Sequence, residues 1–435
     1  PADDGSDGQV LKTNASGVLT WSADNNSGAS AAVAFKEYEH IIGTTSLFGA
    51  TIIGTNQNAF YTAITSVGIR GGIVYVQSGN YTVGKVTVPA NVEFVFHSSA
   101  ICKNVSGEWM FDTSGTIRNL SIRGDVAFTV KAIRLNAGAK LYDTKLLSNI
   151  SIGNMTDSGF FEILQTTPGF ILIVNSTTTE GGSVIAGTTW TVDSKAYASD
   201  KQILIDGLTT SSVTFTNATE SLFKIDLAAN VLIRRVIEQE VIHSINDSNA
   251  HFNILSGEVT IEDSELSTNS ELVTYGNLAS GISASQATTR LLFRNNQLRL
   301  NAWAGQGSGG VFQLARGANV DESSGTTIKN LEVIVISTSP DAGIAQFIQM
   351  SGLTGTQITG VDFIFSPSLF RENGGFDGQQ AISFFTNFFK TNGSCAHTFV
   401  SNCNVRGGTT FAAAAGTNVN TLKGSNNIFN GAGQT

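Results

Sequence analysis

The chain has 435 residues, of which 14% are charged and 46 are glycine, and its formal net charge is −9. An acidic chain without clustered Lys and Arg is not expected to bind nucleic acid, because phosphate neutralisation requires such clusters. No apolar run approaches membrane-spanning length, so we expect no membrane insertion. The three cysteines, Cys102, Cys395 and Cys403, are too few and too scattered for a disulfide framework. The histidines show no metal-ligand spacing, and we expect no metal and no cofactor.

Residues 1–34 differ in composition from the rest of the chain. The stretch from Asp7 to Trp21 reads DGQVLKTNASGVLTW and predicts a small hairpin with Asn14 to Gly17 as its turn. A linker rich in Gly, Ser, Asn and Ala follows, from Ala23 to Ala34. The hairpin stretch resembles the phrase GQVLKT-x-x-G-x-L-x-W of phage tail-fibre and other virion structural proteins. The resemblance implies that residues 1–34 attach the protein to a virion tail or baseplate protein, with an ordinary exposed hairpin as the alternative.

A short helix is predicted next. Asn58 is expected to cap its N-terminus and Gly68 to end it. Its apolar residues recur at helical spacing: Phe60, Ala63, Ile64 and Val67.

The stretch from Gly71 to Val83 reads GGIVYVQSGNYTV. It resembles the opening GG-x-V-x-V-P-x-G-x-Y of the pectate-lyase superfamily, with Gln77 in place of the usual proline. In that superfamily the preceding helix plugs the N-terminal end of a solenoid. The resemblance implies a capping helix and entry to the solenoid in residues 35–90 and the solenoid itself in residues 91–435.

A short phrase then recurs along the chain at spacings of 22 to 42 residues. It reads apolar, polar, then a third residue that is Asn, Asp or Gly in ten of eleven copies. These residue types tolerate a left-handed backbone, so the third position predicts a tight corner between two strands. The third positions are Asn119, Asn149, Asn175, Gly207, Arg235, Asp263, Asn295, Asn330, Gly360, Asn402 and Gly424. Such a repeat cannot close its own core and must stack on its neighbours.

The repeat resembles the right-handed parallel β-helix of pectate lyases and phage tailspikes, whose coils carry an asparagine ladder at such a corner. We therefore expect an all-β, single-stranded parallel β-helix. Together with the N-terminal segment, it resembles a phage tailspike or tail-fibre protein. That resemblance implies an extracellular homotrimer on the virion tail that binds host-surface polysaccharide. Two alternatives stay open: a polysaccharide lyase or glycoside hydrolase of the same fold, and a non-catalytic structural surface protein.

Candidate catalytic carboxylates are found by counting two residues past each corner. This outward position holds Ile237, Glu265, Gln297, Glu332, Asp362 and Asn404. Glu332 and Asp362 would be neighbours about 4.8 Å apart, close to the spacing of a retaining glycosidase pair, with Glu265 two turns away from Glu332. The alternative interpretation is a solvated face on which polar side chains stack.

The position before each corner alternates in charge over four turns and then keeps the positive sign. It holds Asp206, Arg234, Glu262, Arg294 and Lys329. Opposite charges on adjacent strands stabilise a sheet modestly, so this column predicts structural pairing and not a functional site.

Four aromatic residues lie in or near segments where the coils lengthen, and they are candidates for stacking on sugars. They are Trp190, Tyr197, Tyr275 and Trp303. The alternative for each is an aromatic residue packed within a loop.

Overall fold

The computed structural model describes 23 segments, to which the structural statements below refer. They are residues 9–13, 19–23, 40–43, 51–106, 108–123, 131–147, 159–163, 169–178, 183–187, 201–210, 213–215, 223–238, 241–243, 251–268, 273–275, 290–300, 310–315, 326–335, 344–351, 356–365, 385–392, 395–415 and 419–431.

The described residues form β-strands with one α-helix, α1 (Gln57–Val67), and one 3-10 turn (Gly68–Arg70). The strands are β1 (Gln9–Thr13), β2 (Leu19–Ala23), β3 (His40–Gly43), β4 (Thr51–Ile53), β5 (Gly72–Val76), β6 (Gly79–Val83), β7 (Val86–Val88), β8 (Val92–Phe96), β9 (Ala100–Asn104), β10 (Phe111–Thr113), β11 (Thr116–Arg118), β12 (Ser121–Arg123), β13 (Lys131–Leu135), β14 (Lys140–Tyr142), β15 (Lys145–Leu147), β16 (Gly159–Ile163), β17 (Gly169–Thr178), β18 (Ser183–Gly187), β19 (Lys201–Thr210), β20 (Val213–Phe215), β21 (Phe223–Arg234), β22 (Ile237–Glu238), β23 (Val241–His243), β24 (Phe252–Glu262), β25 (Glu265–Thr268), β26 (Val273–Tyr275), β27 (Arg290–Leu300), β28 (Gly310–Ala315), β29 (Thr326–Val335), β30 (Ile344–Ser351), β31 (Gln357–Phe365), β32 (Phe385–Asn392), β33 (Cys395–Ser401), β34 (Asn404–Ala415), β35 (Val419–Ser425) and β36 (Ile428–Gly431).

Each turn of the chain contributes strands to three parallel sheets, which we name faces A, B and C in chain order. Face A includes β10, β13, β16, β18, β26, β28, β30 and β32, each paired in parallel with the equivalent strand one turn away. Face B precedes the corner and face C follows it, and the long strands β19, β27, β29 and β31 bend across the corner to join both. This one-turn parallel pairing confirms the predicted parallel β-helix.

The helix α1 packs against the N-terminal end of the solenoid, as predicted. Phe60 is fully buried against the rings of three phenylalanines, Phe94 and Phe96 on β8 and Phe111 on β10. Burying an aromatic side chain of this size stabilises the fold by about 2 kcal/mol. The predicted cap was wrong by two residues, because Asn56 and not Asn58 is the N-cap. The Asn56 side chain accepts a hydrogen bond of 3.1 Å from the Asn58 backbone N–H.

The interior is filled by side chains that stack in columns along the solenoid. Ile205, Ile233, Ile261, Phe293 and Ile328 occupy equivalent positions on face B and are 0 to 1% exposed. Phe293 also begins a chain of edge-to-face ring contacts through the later turns, which continues with Phe312, Phe347 and Phe363. Because each turn is open above and below, these columns bury apolar surface only when neighbouring turns are stacked.

The corner between faces B and C has the predicted left-handed backbone. Positive φ angles of 50 to 79° occur at Asn119, Gly207, Arg235, Asp263, Asn295, Asn330, Gly360 and Asn402. Side chains form a ladder along the corner: Asn330 Nδ2 donates to Asn295 Oδ1 at 3.0 Å, and Asn295 Nδ2 donates to Asp263 Oδ1 at 3.2 Å. The asparagine ladder is thus present in the middle turns.

Two of the predicted corners require correction. Asn149 lies outside the described residues, and the corner that follows Asn119 is Asp143, with a φ of 54°. Arg118 pairs with Tyr142, which places Asp143 next to Asn119 on the adjacent turn. The prediction failed because this turn is shorter than the typical repeat and its corner carries a different phrase.

The last corner was placed two residues too early. Gly424 is extended within β35 and pairs with Val400, whereas Asn426 has a φ of 53° and follows the pairing of Ser401 with Ser425. Glycine permits a left-handed backbone without requiring it, so its presence alone did not locate the corner.

The N-terminal hairpin is not paired with the solenoid sheets within the described segments. β1 and β2 pair antiparallel from Gln9 with Ala23 to Thr13 with Leu19, and within the described segments they form a separate two-stranded sheet. This is the hairpin that the sequence predicted.

Candidate functional site

The outward position two residues past the corner forms a continuous column on face C, which we call the face-C column. Its members pair in register from one turn to the next: Ile237, Glu265, Gln297, Glu332, Asp362, Asn404 and Ile428. The sequence count therefore placed the six residues from Ile237 to Asn404 in register, whereas Ile428 follows the corrected corner at Asn426. Thr209 precedes Ile237 in this column, and two of its members are exposed isoleucines, with 44% of Ile237 and 58% of Ile428 accessible.

Glu332 and Asp362 are neighbours at the centre of the face-C column. Glu332 is half-buried and accepts a hydrogen bond of 2.6 Å from Gln297 Nε2, whereas Asp362 is exposed and accepts one of 2.8 Å from Asn404 Nδ2. Each carboxylate is thus positioned by an amide on its far side. The arrangement presents two carboxylate side chains on adjacent turns of the same outward column.

Glu265 is separated from this pair. It is exposed, lies next to Gln297 in the column and forms an ion pair of 3.4 Å with Arg299 on the same face. Gln297 stands between Glu265 and Glu332, so the structure brings two of the three predicted carboxylates together and leaves the third one turn farther away.

The alternating charges before the corner form ion pairs on face B. Arg234 donates to Asp206 Oδ2 at 2.7 Å, and Arg235 donates to the other oxygen of the same carboxylate. Burial raises the pKa of Asp206, but the hydrogen bonds from Arg235 and Arg234 outweigh burial and hold its pKa below the ordinary value. The sequence predicted structural pairing of this kind for the column.

The next pair in the same column is Glu262 with Arg294, in which Glu262 Oε2 and Arg294 Nη2 are 2.6 Å apart. Glu262 and Arg294 also line a groove of about 400 Å³ on the outer side of face B. Its other outward-facing lining residues are Gln202, Leu204, Asn230, Leu232, Glu258 and Thr260. This groove was not predicted from the sequence. Its lining residues lie on the strands that carry the ion pairs, so the register of those pairs also places the lining residues on one surface.

The aromatic candidates are not assembled into a site by the described part of the structure. Trp190, Tyr197 and Trp303 lie outside the described residues. Tyr275 ends β26 on face A and pairs with Ile254 and Leu314, so its backbone belongs to neither the face-C column nor the face-B groove.

A buried ionisable pair was also missed by the sequence. Glu238 and His251 are fully buried, with Glu238 Oε2 3.3 Å from His251 Nδ1, and the Ser267 backbone N–H donates to the same oxygen at 2.8 Å. The two residues flank the segment that contains β23, which pairs with β20 outside the main sheet. The equivalent interior positions of the next turns are Leu266 and Leu298, and no local motif distinguishes Glu238 from an outward carboxylate.

Within the described segments, no group of three or more His, Cys, Asp or Glu side chains is arranged to hold a metal ion. No helix among them is long and apolar enough to cross a membrane.

Comparison with known proteins gives distant structural likenesses. No protein-family model matches the chain, and no curated protein matches it. Among solved structures, tailspike protein 3 of bacteriophage CBA120 is 10% identical with a TM-score of 0.35, over 94% of this chain and 64% of that chain. The ORF18 protein of Geobacillus virus E2 is 14% identical with a TM-score of 0.28, over 98% of this chain and 68% of that chain.

A third similar structure is the periplasmic alginate epimerase AlgG, which is 8% identical with a TM-score of 0.24, over 86% of this chain and 82% of that chain. The match to the CBA120 tailspike protein covers slightly less than two thirds of that protein's length. The fold is established by the one-turn strand pairing and not by these likenesses.

Proposed function

We propose that the protein is a phage virion attachment protein of the tailspike or tail-fibre type, which binds host-surface glycan along its solenoid. The observation that carries the proposal is the face-C column. Five successive turns present a carboxylate or an amide at the same outward position, from Glu265 to Asn404. Such a column offers one hydrogen-bonding side chain for every strand spacing of about 4.8 Å, which suits a long polymer with many hydroxyl groups.

The N-terminal segment supports the virion part of the proposal. Residues 1–34 carry the phrase that resembles virion structural proteins, and their hairpin pairs separately from the solenoid. We assign this segment to attachment to a tail or baseplate protein and the solenoid to the host surface. The homotrimer that the resemblance implies belongs to the same proposal.

A second candidate function is cleavage of the bound glycan. It is favoured by one observation, the direct pairing of Glu332 with Asp362 on adjacent turns. Cleavage by a retaining mechanism uses two neighbouring carboxyl groups, one as the acid and one as the nucleophile. Adhesion requires only the face-C column, whereas cleavage also requires the pair of Glu332 and Asp362.

The test compares the wild type with Glu332→Gln and Asp362→Asn on purified surface polysaccharide from a candidate host. If the pair cleaves glycan, each substitution lowers the rate at which new reducing ends form by about a hundredfold or more. The melting temperature should hardly change, because both side chains reach solvent.

Glu108→Gln is the matched control, since Glu108 is a half-exposed carboxylate paired with Lys85 near the N-terminal end of the solenoid. Polysaccharide binding without new reducing ends, equal in all four proteins, assigns the protein to adhesion alone. Cleavage that persists in both variants would show that the pair is not catalytic.

A further inference from the structure

The groove on face B crosses four successive turns of the solenoid, formed by β19, β21, β24 and β27. Its outward residues fall into three columns that run along the solenoid axis. Gln202, Asn230 and Glu258 form one edge, and Leu204, Leu232 and Thr260 form the floor. The ion-paired Glu262 and Arg294 form the other edge.

The floor and the edges offer different chemistry. The floor residues Leu204, Leu232 and Thr260 are half-buried, so they present apolar surface that is still accessible. The edges present amide, carboxylate and guanidinium groups, which donate or accept hydrogen bonds. A sugar ring has apolar faces of C–H groups and hydroxyl groups around its rim. The apolar floor of the groove matches the faces of the ring, and the polar edges match its hydroxyl groups.

The backbone beneath the groove has no free edge. Each of the four strands is paired in parallel on both sides: β19 with β17 and β21, β21 with β19 and β24, β24 with β21 and β27, and β27 with β24 and β29. An extended peptide that adds a strand to a sheet needs an unpaired edge, so the groove does not suit that mode of recognition. Recognition here depends on side chains that repeat at the strand spacing.

The charge of the lining disfavours an acidic polymer. The groove is lined by two carboxylates, Glu258 and Glu262, and by one guanidinium, Arg294. Arg294 already donates to Glu262 through Nε at 2.7 Å. The lining therefore offers a carboxylate-rich polymer no guanidinium that lacks a partner, and so it lacks the charge complementarity that such a polymer needs.

We propose that this groove binds an extended, uncharged stretch of polysaccharide that runs along the solenoid axis, apart from the face-C column. The inference rests on the proposed function and adds to it a second place of binding and the class of glycan bound there. The repeated floor and edges let one polymer make similar contacts on successive turns.

The test measures binding to a neutral panel of dextran, mannan and linear β-glucan and to an acidic panel of hyaluronan and polygalacturonate. Thr260→Trp places a large ring on the floor of the groove and should weaken binding to the neutral polymer by at least about tenfold. Glu258→Lys reverses the charge of one edge and should strengthen binding to the acidic polymers.

Thr87→Trp is the matched control, because Thr87 is an exposed strand residue on β7, near the N-terminal end. Equal binding of a neutral polymer by Thr260→Trp and the wild type would overturn the groove assignment and leave the proposed function standing. A wild type that binds only the acidic panel would overturn the class of glycan. A wild type that binds neither panel nor host-surface polysaccharide would reject both the inference and the proposed function.

Discussion

At the scale of single residues, the corner between faces B and C determines which side chains face outward. Its residues hold positive φ angles, which asparagine and aspartate adopt at lower cost than branched residues do. In the middle turns Asp263, Asn295 and Asn330 also bond to one another through their side chains. The corner residue therefore has both a backbone role and a side-chain role.

Replacing Asn295 separates these two roles. Asn295→Val forces a β-branched residue into a φ of 54° and removes both side-chain bonds, and we expect it to lose about 1 to 3 kcal/mol of unfolding free energy. Asn295→Gly removes the same bonds but tolerates the backbone, so it should lose clearly less. Denaturant unfolding monitored by circular dichroism measures both. Equal losses for valine and glycine would contradict a backbone role at this corner.

At the scale of strands and columns, ion pairs connect adjacent turns on face B. Asp206 accepts hydrogen bonds from both Arg234 and Arg235 while almost fully buried. Removing the arginines would leave the buried charge of Asp206 without a partner. This column therefore stabilises the turns that also form the groove.

The lowered pKa of Asp206 gives this stabilisation a defined pH dependence. Because the pKa is depressed in the folded state, the stabilisation is present above the ordinary aspartate value of 3.8 and is lost as the pH falls below it. We expect Asp206→Asn to lose about 2 kcal/mol of unfolding free energy at pH 7. The difference from the wild type should shrink as the pH is lowered below that value.

Glu265→Gln serves as the control for Asp206→Asn. Glu265 forms an exposed ion pair with Arg299, and an exposed pair contributes little. The measurement is the unfolding midpoint of the three proteins over a series of pH values. A difference between Asp206→Asn and the wild type that stays constant down to the lowest pH would contradict the role of its ionised form.

The columns could be predicted from the sequence because a register defined at the corner carries over to every neighbouring position. Counting two residues past Asn330 and Gly360 was enough to place Glu332 beside Asp362. The count failed where a turn departs from the common length, as at Asp143 and Asn426. A single sequence does not reveal such departures, because several Asn and Gly residues near each turn can serve as its corner.

Buried polar residues and surface shape were less predictable. Glu238 points into the core at a position that holds leucine on the next turns, and its partner His251 is separated from it by a segment of the chain that contains β23. The face-B groove depends on half-buried residues such as Leu204 and Leu232, which have no motif of their own. Both features arise from contacts between turns and not from local pattern.

At the scale of the whole molecule, a long stack of turns presents repeating chemistry along one axis. The face-C column and the face-B groove lie on opposite sides of the same corner, and both follow that axis. An architecture of this kind matches a polymeric ligand better than a small one, because each added turn adds a similar contact.

The most direct test of glycan attachment is the retention of the intact chain on immobilised surface polysaccharide from a candidate host. We expect the wild type to be retained, to be released by the same polysaccharide added in solution, and to lose retention on a matrix that carries no polysaccharide. Long fragments of the polymer should compete better than short ones, since they contact more turns. Failure to bind the surface polysaccharide of any host in a broad panel, by a protein whose circular dichroism shows an intact β-fold, would contradict the account.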